Sequence, residues 1–281
     1  IGCNSIGIKP HIIIPRRFTD GYGIKVKNLE NMDPSGLLIT VDNGIAANEA
    51  VDTAKEKGMK VIILDHHEAR ILNGEQFLPE ADVVIDPHIT EADFEDYCGA
   101  GLAYRFMREV FAKKRRPADL NGIMSSMIAL AAVGTVGDSV TMKAENRFLV
   151  RRGMEQIEQK RVSTGLVLLL EEMKLSDTLS VEDIAYSLVP AINAFGRLED
   201  EGSRKVAALL SYTGRKSDGA KNAAQIVKQM NDERKTYCKE LTELAEKMVE
   251  ETGQMNNSVL VLQDDRFLKG ICGIIAGHLT E

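Results

Sequence analysis

Leu37-Leu38-Ile39-Thr40-Val41-Asp42-Asn43-Gly44 and Val61-Ile62-Ile63-Leu64-Asp65-His66-His67 are the stretches whose reading decides the fold. Each is a short apolar run, partly β-branched, that stops at an acid. Runs this short suit strands buried on both faces better than helices. Between them lies an Ala/Glu/Lys-rich segment ending at Gly58, which predicts a helix. Strand, helix, strand predicts a parallel sheet, and such sheets bind ligands beyond the carboxyl ends of their strands. Asp42, Asp65, His66 and His67 all fall at that edge.

Working outward, Ile12-Ile13-Ile14, stopped by Pro15, and Val83 to Ile85, ending at Asp86-Pro87, predict two further strands. From about Gly99 to Tyr212 apolar residues recur at three- and four-residue spacing, predicting helices near 99–114, 122–135, 144–160, 163–173 and 200–212. Lys216 to Glu250 reads as one long helix, polar on much of its surface and free of proline, suited to bridging two apolar regions. Asn257 to Leu262 predicts a new strand, and a helix start follows at Gly270. The expected fold class is α/β: a parallel sheet with helices on both faces, a helical second half, and a long bridging helix to the start of a second α/β domain. The corresponding divisions are 1–213, 214–253 and 254–281. The chain opens at Ile1 as if within a folded segment and stops at Glu281 inside an expected helix, so both ends read as interrupted.

The 281 residues are 44% hydrophobic and 27% charged, the profile of a soluble globular protein with a sizeable core. No apolar run is read as long enough to span a bilayer, and no secretory signal is read at the start. Cys3, Cys98, Cys238 and Cys272 form no C-x-x-C pair, which argues against a structural zinc or a disulfide framework and for a reducing cytoplasm. A net charge of −7 argues against a protein that merely coats nucleic acid, although a local groove can still grip phosphates. The basic clusters Arg16-Arg17, Lys113 to Arg116, Arg151-Arg152 and Lys160-Arg161 each read, taken singly, as solvated helix ends or loops before phosphate-binding sites.

Two imidazoles and a carboxylate directly after a buried strand offer metal ligands, with Asp65 able to orient one ring. The competing reading is a loop of merely polar histidines. Asp42 could serve as a turn or helix cap, yet its strand would deliver it beside His66, and a carboxylate between two cations can bridge them. Asp138 closes the apolar run Ala131 to Gly137. An acid is electrostatically unfavourable at a helix C-terminus, and a bound cation would compensate it. Mixed imidazole and carboxylate ligands without thiolates favour manganese, with magnesium as the alternative.

Leu38 to Ile45 followed by Val61 to Glu68 resembles the second and third motifs of the DHH phosphoesterase family. Further stretches are similar to the single-strand DNA exonucleases within that family. These are Pro15-Arg16-Arg17-Phe18-Thr19-Asp20-Gly21-Tyr22-Gly23, Gly99-Ala100-Gly101, Gly134 to Asp138 with Glu145-Asn146-Arg147, and Ile192-Asn193-Ala194-Phe195-Gly196-Arg197. The resemblance implies two bound ions, Mn2+ with Mg2+ as the alternative. Asp42 would bridge them, His66 and Asp138 would bind one, and Asp65 would support His66. His67 would face the scissile phosphate, and Arg147, Arg197 and Asn193 would contact the substrate. The implied activity is a 5′-to-3′ exonuclease on single-stranded DNA in repair and recombination, cytoplasmic, with no membrane and no specified protein partner. Oligoribonuclease or cyclic-dinucleotide phosphodiesterase activity, or a degenerate binding module in a replication or repair complex, are the competing expectations. The resemblance also places an Asp-rich D-x-D-x-D-G segment ahead of Ile8, whereas Ile1 to Ile6 holds no acid. Two further departures are Phe267-Leu268-Lys269-Gly270, where relatives often carry an aromatic–histidine pair, and Ala191 in place of a frequent arginine.

Overall fold

The computed structural model describes residues 1–89, 92–113, 116–175 and 179–280. Within the expected Lys113 to Arg116 cluster, Lys114 and Arg115 lie outside the described residues. After a short helix α1 (Gly2–Ser5), β1 (Leu37–Val41), β2 (Lys60–Leu64) and β5 (Val83–Ile85) form a three-stranded parallel sheet in the order β1-β2-β5. Helix α2 (Asn48–Glu56) crosses between β1 and β2. Its Ala50, Val51 and Ala54 pack into one core with Leu38, Val61 and Ile63, whose alternate positions send them to the same side of the sheet. Val41 pairs with Leu64 in register, so Asp42 and Asp65 leave adjacent strands side by side.

Between β2 and β5 a hairpin was not anticipated: β3 (Arg70–Leu72) pairs antiparallel with β4 (Glu75–Phe77). Its turn is Asn73-Gly74, both at positive φ, the dipeptide that suits a two-residue hairpin turn.

The remainder is helical. α3 (Gly99–Lys113) packs on β1 and β2, and α4 (Leu120–Gly137) on α3 and α5 (Ala144–Glu158). α6 (Thr164–Glu172) follows. α7 (Val181–Asp183) then runs through a π-helical turn, Ile184–Leu188, into α8 (Val189–Leu198), where Pro190 has no N–H to give a regular helix. α9 (Gly202–Leu210) completes this half. The main core joins Ala132, Leu149, Leu166, Leu169, Leu188 and Phe195. Truncating a fully buried leucine such as Leu169 to alanine there should cost roughly 2–5 kcal/mol. By length and composition α4 could cross a membrane, which the reading of apolar runs did not anticipate. Its place is inside this core, where Ala129, Ala131, Ala132 and Val136 are buried.

α10 (Asp218–Glu251) is 34 residues long, about 50 Å. Its first half lends Ala224 and Val227 to the main core. Its second half lends Cys238, Leu241 and Ala245 to a separate cluster with Ile271 and Ile275, next to α11 (Cys272–His278).

Two expected strands are not formed. Ile12 to Ile14 runs as an irregular arm along α9, where the Arg204 guanidinium donates to the Ile12 carbonyl, the Arg16 guanidinium to Glu201, and the Phe18 N–H to Asp200. It lies between Pro10 and Pro15, neither of which has an N–H to extend a ladder at its ends. Asn257 to Leu262 likewise pairs with no strand among the described residues. The Gln254 amide instead bonds both the N–H and the carbonyl of Val261.

Candidate metal centre

Asp42 is the first residue after β1 and takes a left-handed backbone, φ 64°, which aspartate tolerates better than most side chains. Its N–H donates to the Leu64 carbonyl at 2.9 Å, so the β1–β2 ladder runs on to the site. Asn43 secures the turn by donating to the Val41 carbonyl and accepting from the Ile24 N–H. The Asp42 carboxylate is thereby turned toward β2, where its Oδ1 lies 2.9 Å from His66 Nε2.

Asp138 reaches the same atom from another quarter of the fold. It caps the C-terminus of α4, and its Oδ2 lies 3.4 Å from His66 Nε2. Asp42, His66 and Asp138 therefore converge, as expected. The His66 imidazole titrates above its ordinary value, chiefly through the hydrogen bond to Asp42, with Asp138 adding to it and burial opposing it.

Asp65 differs from expectation. Its carboxylate is 1% exposed and holds the ring of His67, not that of His66: Oδ1 lies 2.6 Å from His67 Nδ1. Oδ1 also accepts the His66 N–H, and Oδ2 accepts the Ile45 N–H at 2.9 Å. The buried acid thus orders the whole loop and reaches its neighbour's ring by spanning two positions along the chain. With Nδ1 engaged, His67 keeps Nε2 for other partners. Its side chain is 58% exposed, and its ring centroid lies 4.5 Å from that of His66.

These donors suit a divalent cation. Ligand atoms of Asp42, His66 and His67 lie within 4.8 Å of one another, with Asp138 closing on His66. One imidazole nitrogen between two carboxylates is the donor chemistry of manganese, iron or zinc sites.

The three expected substrate residues lie elsewhere. Arg147 is exposed in the first turn of α5, and Asn193 is exposed on α8. Arg197, at the end of α8, is half-buried and donates to the Gly270 carbonyl at 3.1 Å. Its guanidinium is pushed below its ordinary value by burial and then by the nearby Arg17 and Arg234. Arg17 stacks 5.1 Å over the Tyr22 ring, and Arg234 bonds Asn231. Among the described residues none of these three arginines has an ion pair. Arg234 gave no sign of this in the sequence, since it lies within a long polar helix.

Residues 5–135, which include all of this site except Asp138, match the DHH family, N-terminal domain. This segment is similar to DHH domains over 131 of the chain's 281 residues. The chain as a whole is similar to the single-stranded-DNA-specific exonuclease RecJ of Salmonella typhimurium, at 29% identity over all of this chain and 49% of that protein. It is also similar to RecJ of Bacillus subtilis, at 31% identity over 95% of this chain and 32% of that protein. The chain thus spans about half or less of the length of these relatives. A crystal structure of exonuclease RecJ bound to manganese superposes with a TM-score of 0.81 at 27% identity, covering 99% of this chain and 67% of that one. Outside the matched segment, that superposition extends the likeness through the helical half and α10.

Proposed function

We propose that this chain carries the catalytic centre of a divalent-metal phosphodiesterase that digests single-stranded DNA from its 5′ end, in DNA repair and recombination in the cytoplasm. The observation that carries the reading is His66 Nε2 set between Asp42 and Asp138 at the carboxyl edge of a parallel sheet. The similarity to single-strand-specific exonucleases and to a manganese-bound RecJ supports it.

When bound, divalent cations lower the pKa of a water and take up charge on phosphoryl oxygens. Asp42, His66 and Asp138 would hold manganese, with magnesium as the alternative, and Asp42 would serve both ions. His67, oriented by Asp65, offers Nε2 to the phosphate at the reacting end. Arg197, with Arg17 and Arg234 nearby, supplies positive charge that no ion pair among the described residues takes up, suited to a phosphate of the strand. Arg147 and Asn193 would contact the strand farther from the reaction. In the same reading residues 1–213 hold the chemistry, 214–253 bridge, and 254–281 open a second domain.

The test is hydrolysis of a 5′-labelled single strand in manganese, beside blunt duplex, short oligoribonucleotides and cyclic dinucleotides. Early release of labelled mononucleotide from the single strand is expected. Asp42→Ala and His66→Ala should abolish it with circular dichroism unchanged. Equal cleavage of duplex, or faster turnover of the dinucleotides, would replace the substrate assignment.

A further inference from the structure

We infer that Asn146 is a positioning residue, which sets the separation of the two carboxylates that flank His66 by tying together the loops that carry their supports. The inference rests on the metal-site reading above.

Asn146 sits in the first turn of α5 and is fully buried. Its side-chain nitrogen donates to two backbone carbonyls, Asp96 and Thr141, the latter at 3.0 Å. Two carbonyl acceptors around one atom leave no doubt about the amide's orientation, since an oxygen there would face oxygen. Asp96 lies three residues before Gly99, whose Cα side abuts the Asp42 carboxylate. Thr141 lies three residues after Asp138. One amide group therefore joins the wall behind Asp42 to the loop behind Asp138.

Two further observations give the tie a purpose. The loop it grips holds Ser139 at φ 56°, and α5 opens after it on Ala144 at φ 39°, non-glycine conformations that persist only when surrounding contacts enforce them. The neighbouring residue repeats the link: Arg105 bonds both the Tyr97 hydroxyl and the Glu145 carboxylate, and its guanidinium lies 5.2 Å over the Tyr97 ring. Asp96-Tyr97 is thus bound to Glu145-Asn146 at two successive positions. Meanwhile Asn146 Oδ1 is buried without a hydrogen-bond partner among the described residues. A side chain kept for packing alone would carry no such unsatisfied oxygen, and an apolar residue would fill the space without that cost. The donor is what the position requires.

The test is manganese titration of the chain by calorimetry, with melting followed by circular dichroism. Asn146→Ala and the space-filling Asn146→Leu both lack the donor. Each should weaken manganese binding about tenfold, the scale seen when a partner that orients metal ligands is removed. Leu170→Ala, in the main core and away from the site, controls for a merely structural effect: it should lower the melting temperature and leave manganese affinity unchanged. Affinities of both Asn146 variants within twofold of wild type would overturn the inference, as would failure of both to fold. No manganese binding by the wild-type chain would instead sink the metal-site reading, and this inference with it.

Discussion

Gly99 lies so close to Asp42 that a β-carbon on it would sit 2.5 Å from Asp42 Oδ1 and 2.6 Å from Asp42 Cβ. The clash would fall on the root of the side chain, so a rotamer change could not relieve it. Asp42 itself is held at φ 64°. The first residue of α3 is therefore the wall that keeps this carboxylate turned toward His66.

Gly99→Ala should consequently displace Asp42 and weaken manganese binding by about tenfold or more, the scale of a disturbed ligand shell. Alanine in place of glycine ordinarily favours a helix by about 0.5–1 kcal/mol, so a loss cannot come from helix propensity. Calorimetric titration of the variant decides it, and unchanged affinity would refute the wall.

Asp65→Asn should separate chemistry from metal binding. The amide can still accept the Ile45 N–H, but its NH2 group then faces His67 Nδ1, which forces the other tautomer. It also faces the His66 N–H, whose hydrogen bond is lost while the His66 ring keeps its two carboxylates. We expect kcat to fall about 10–100-fold while manganese affinity changes far less than in His66→Ala. Parallel loss of both would mean that Asp65 supports the metal ligands directly.

Arg197→Ala should act on strand binding. Removing one phosphate contact lowers the dependence of log affinity on log salt by roughly one unit, or somewhat less for a single strand. Burial first, and then Arg17 and Arg234, depress the Arg197 guanidinium, and the variant removes that buried charge, so the fold should tolerate it. Fluorescence anisotropy of a labelled single strand across a salt series measures the slope. A slope equal to wild type would take Arg197 out of the substrate path.

Asp82 provides a pH prediction away from the site. Its carboxylate accepts from Lys55 Nζ at 2.7 Å, Lys60 Nζ at 3.0 Å and the Val61 N–H at 2.8 Å, fastening the approach to β5 onto α2 and β2. Lys55 first, and then the Val61 N–H, hold it far below the ordinary value of 3.8. A depressed carboxyl stabilises the fold in full above the unfolded value and loses that contribution as pH falls through the folded one. Asp82→Asn should therefore be less stable than wild type at neutral pH, with the gap closing progressively below about pH 3.8. Urea unfolding across that range tests it, and a gap independent of pH would contradict the ion pairing.

Much of this was legible in the chain. The apolar runs ending at Val41, Leu64 and Ile85 became the three parallel strands, as short apolar, β-branched runs suit, although Leu37, Val41 and Val83 stay exposed. The same signal misled at Ile12 to Ile14 and at Asn257 to Leu262. Apolar, β-branched residues state only that a segment can pair, and among the described residues no partner strand reaches either one. The Asn73-Gly74 hairpin was readable from its turn and was overlooked because the flanking strands are so short.

The sequence by itself determined that Asp42, Asp65, His66 and His67 leave adjacent strand ends, since strand period and the α2 crossover are local properties. It could not determine who bonds whom. That Asp65 holds His67 rather than His66 depends on the loop curling back by two residues around the Ile45 amide. That Asp138 meets His66 depends on α4 packing against α3, and α3 against the sheet. That Arg17, Arg197 and Arg234 gather depends on an irregular arm, the end of α8 and the middle of α10 coming together. Each of these arrangements depends on groups distant in sequence being brought together, the Asp138–His66 meeting through packed helices. Such packing places polar groups to within an ångström, while leaving no mark on the residues that flank them.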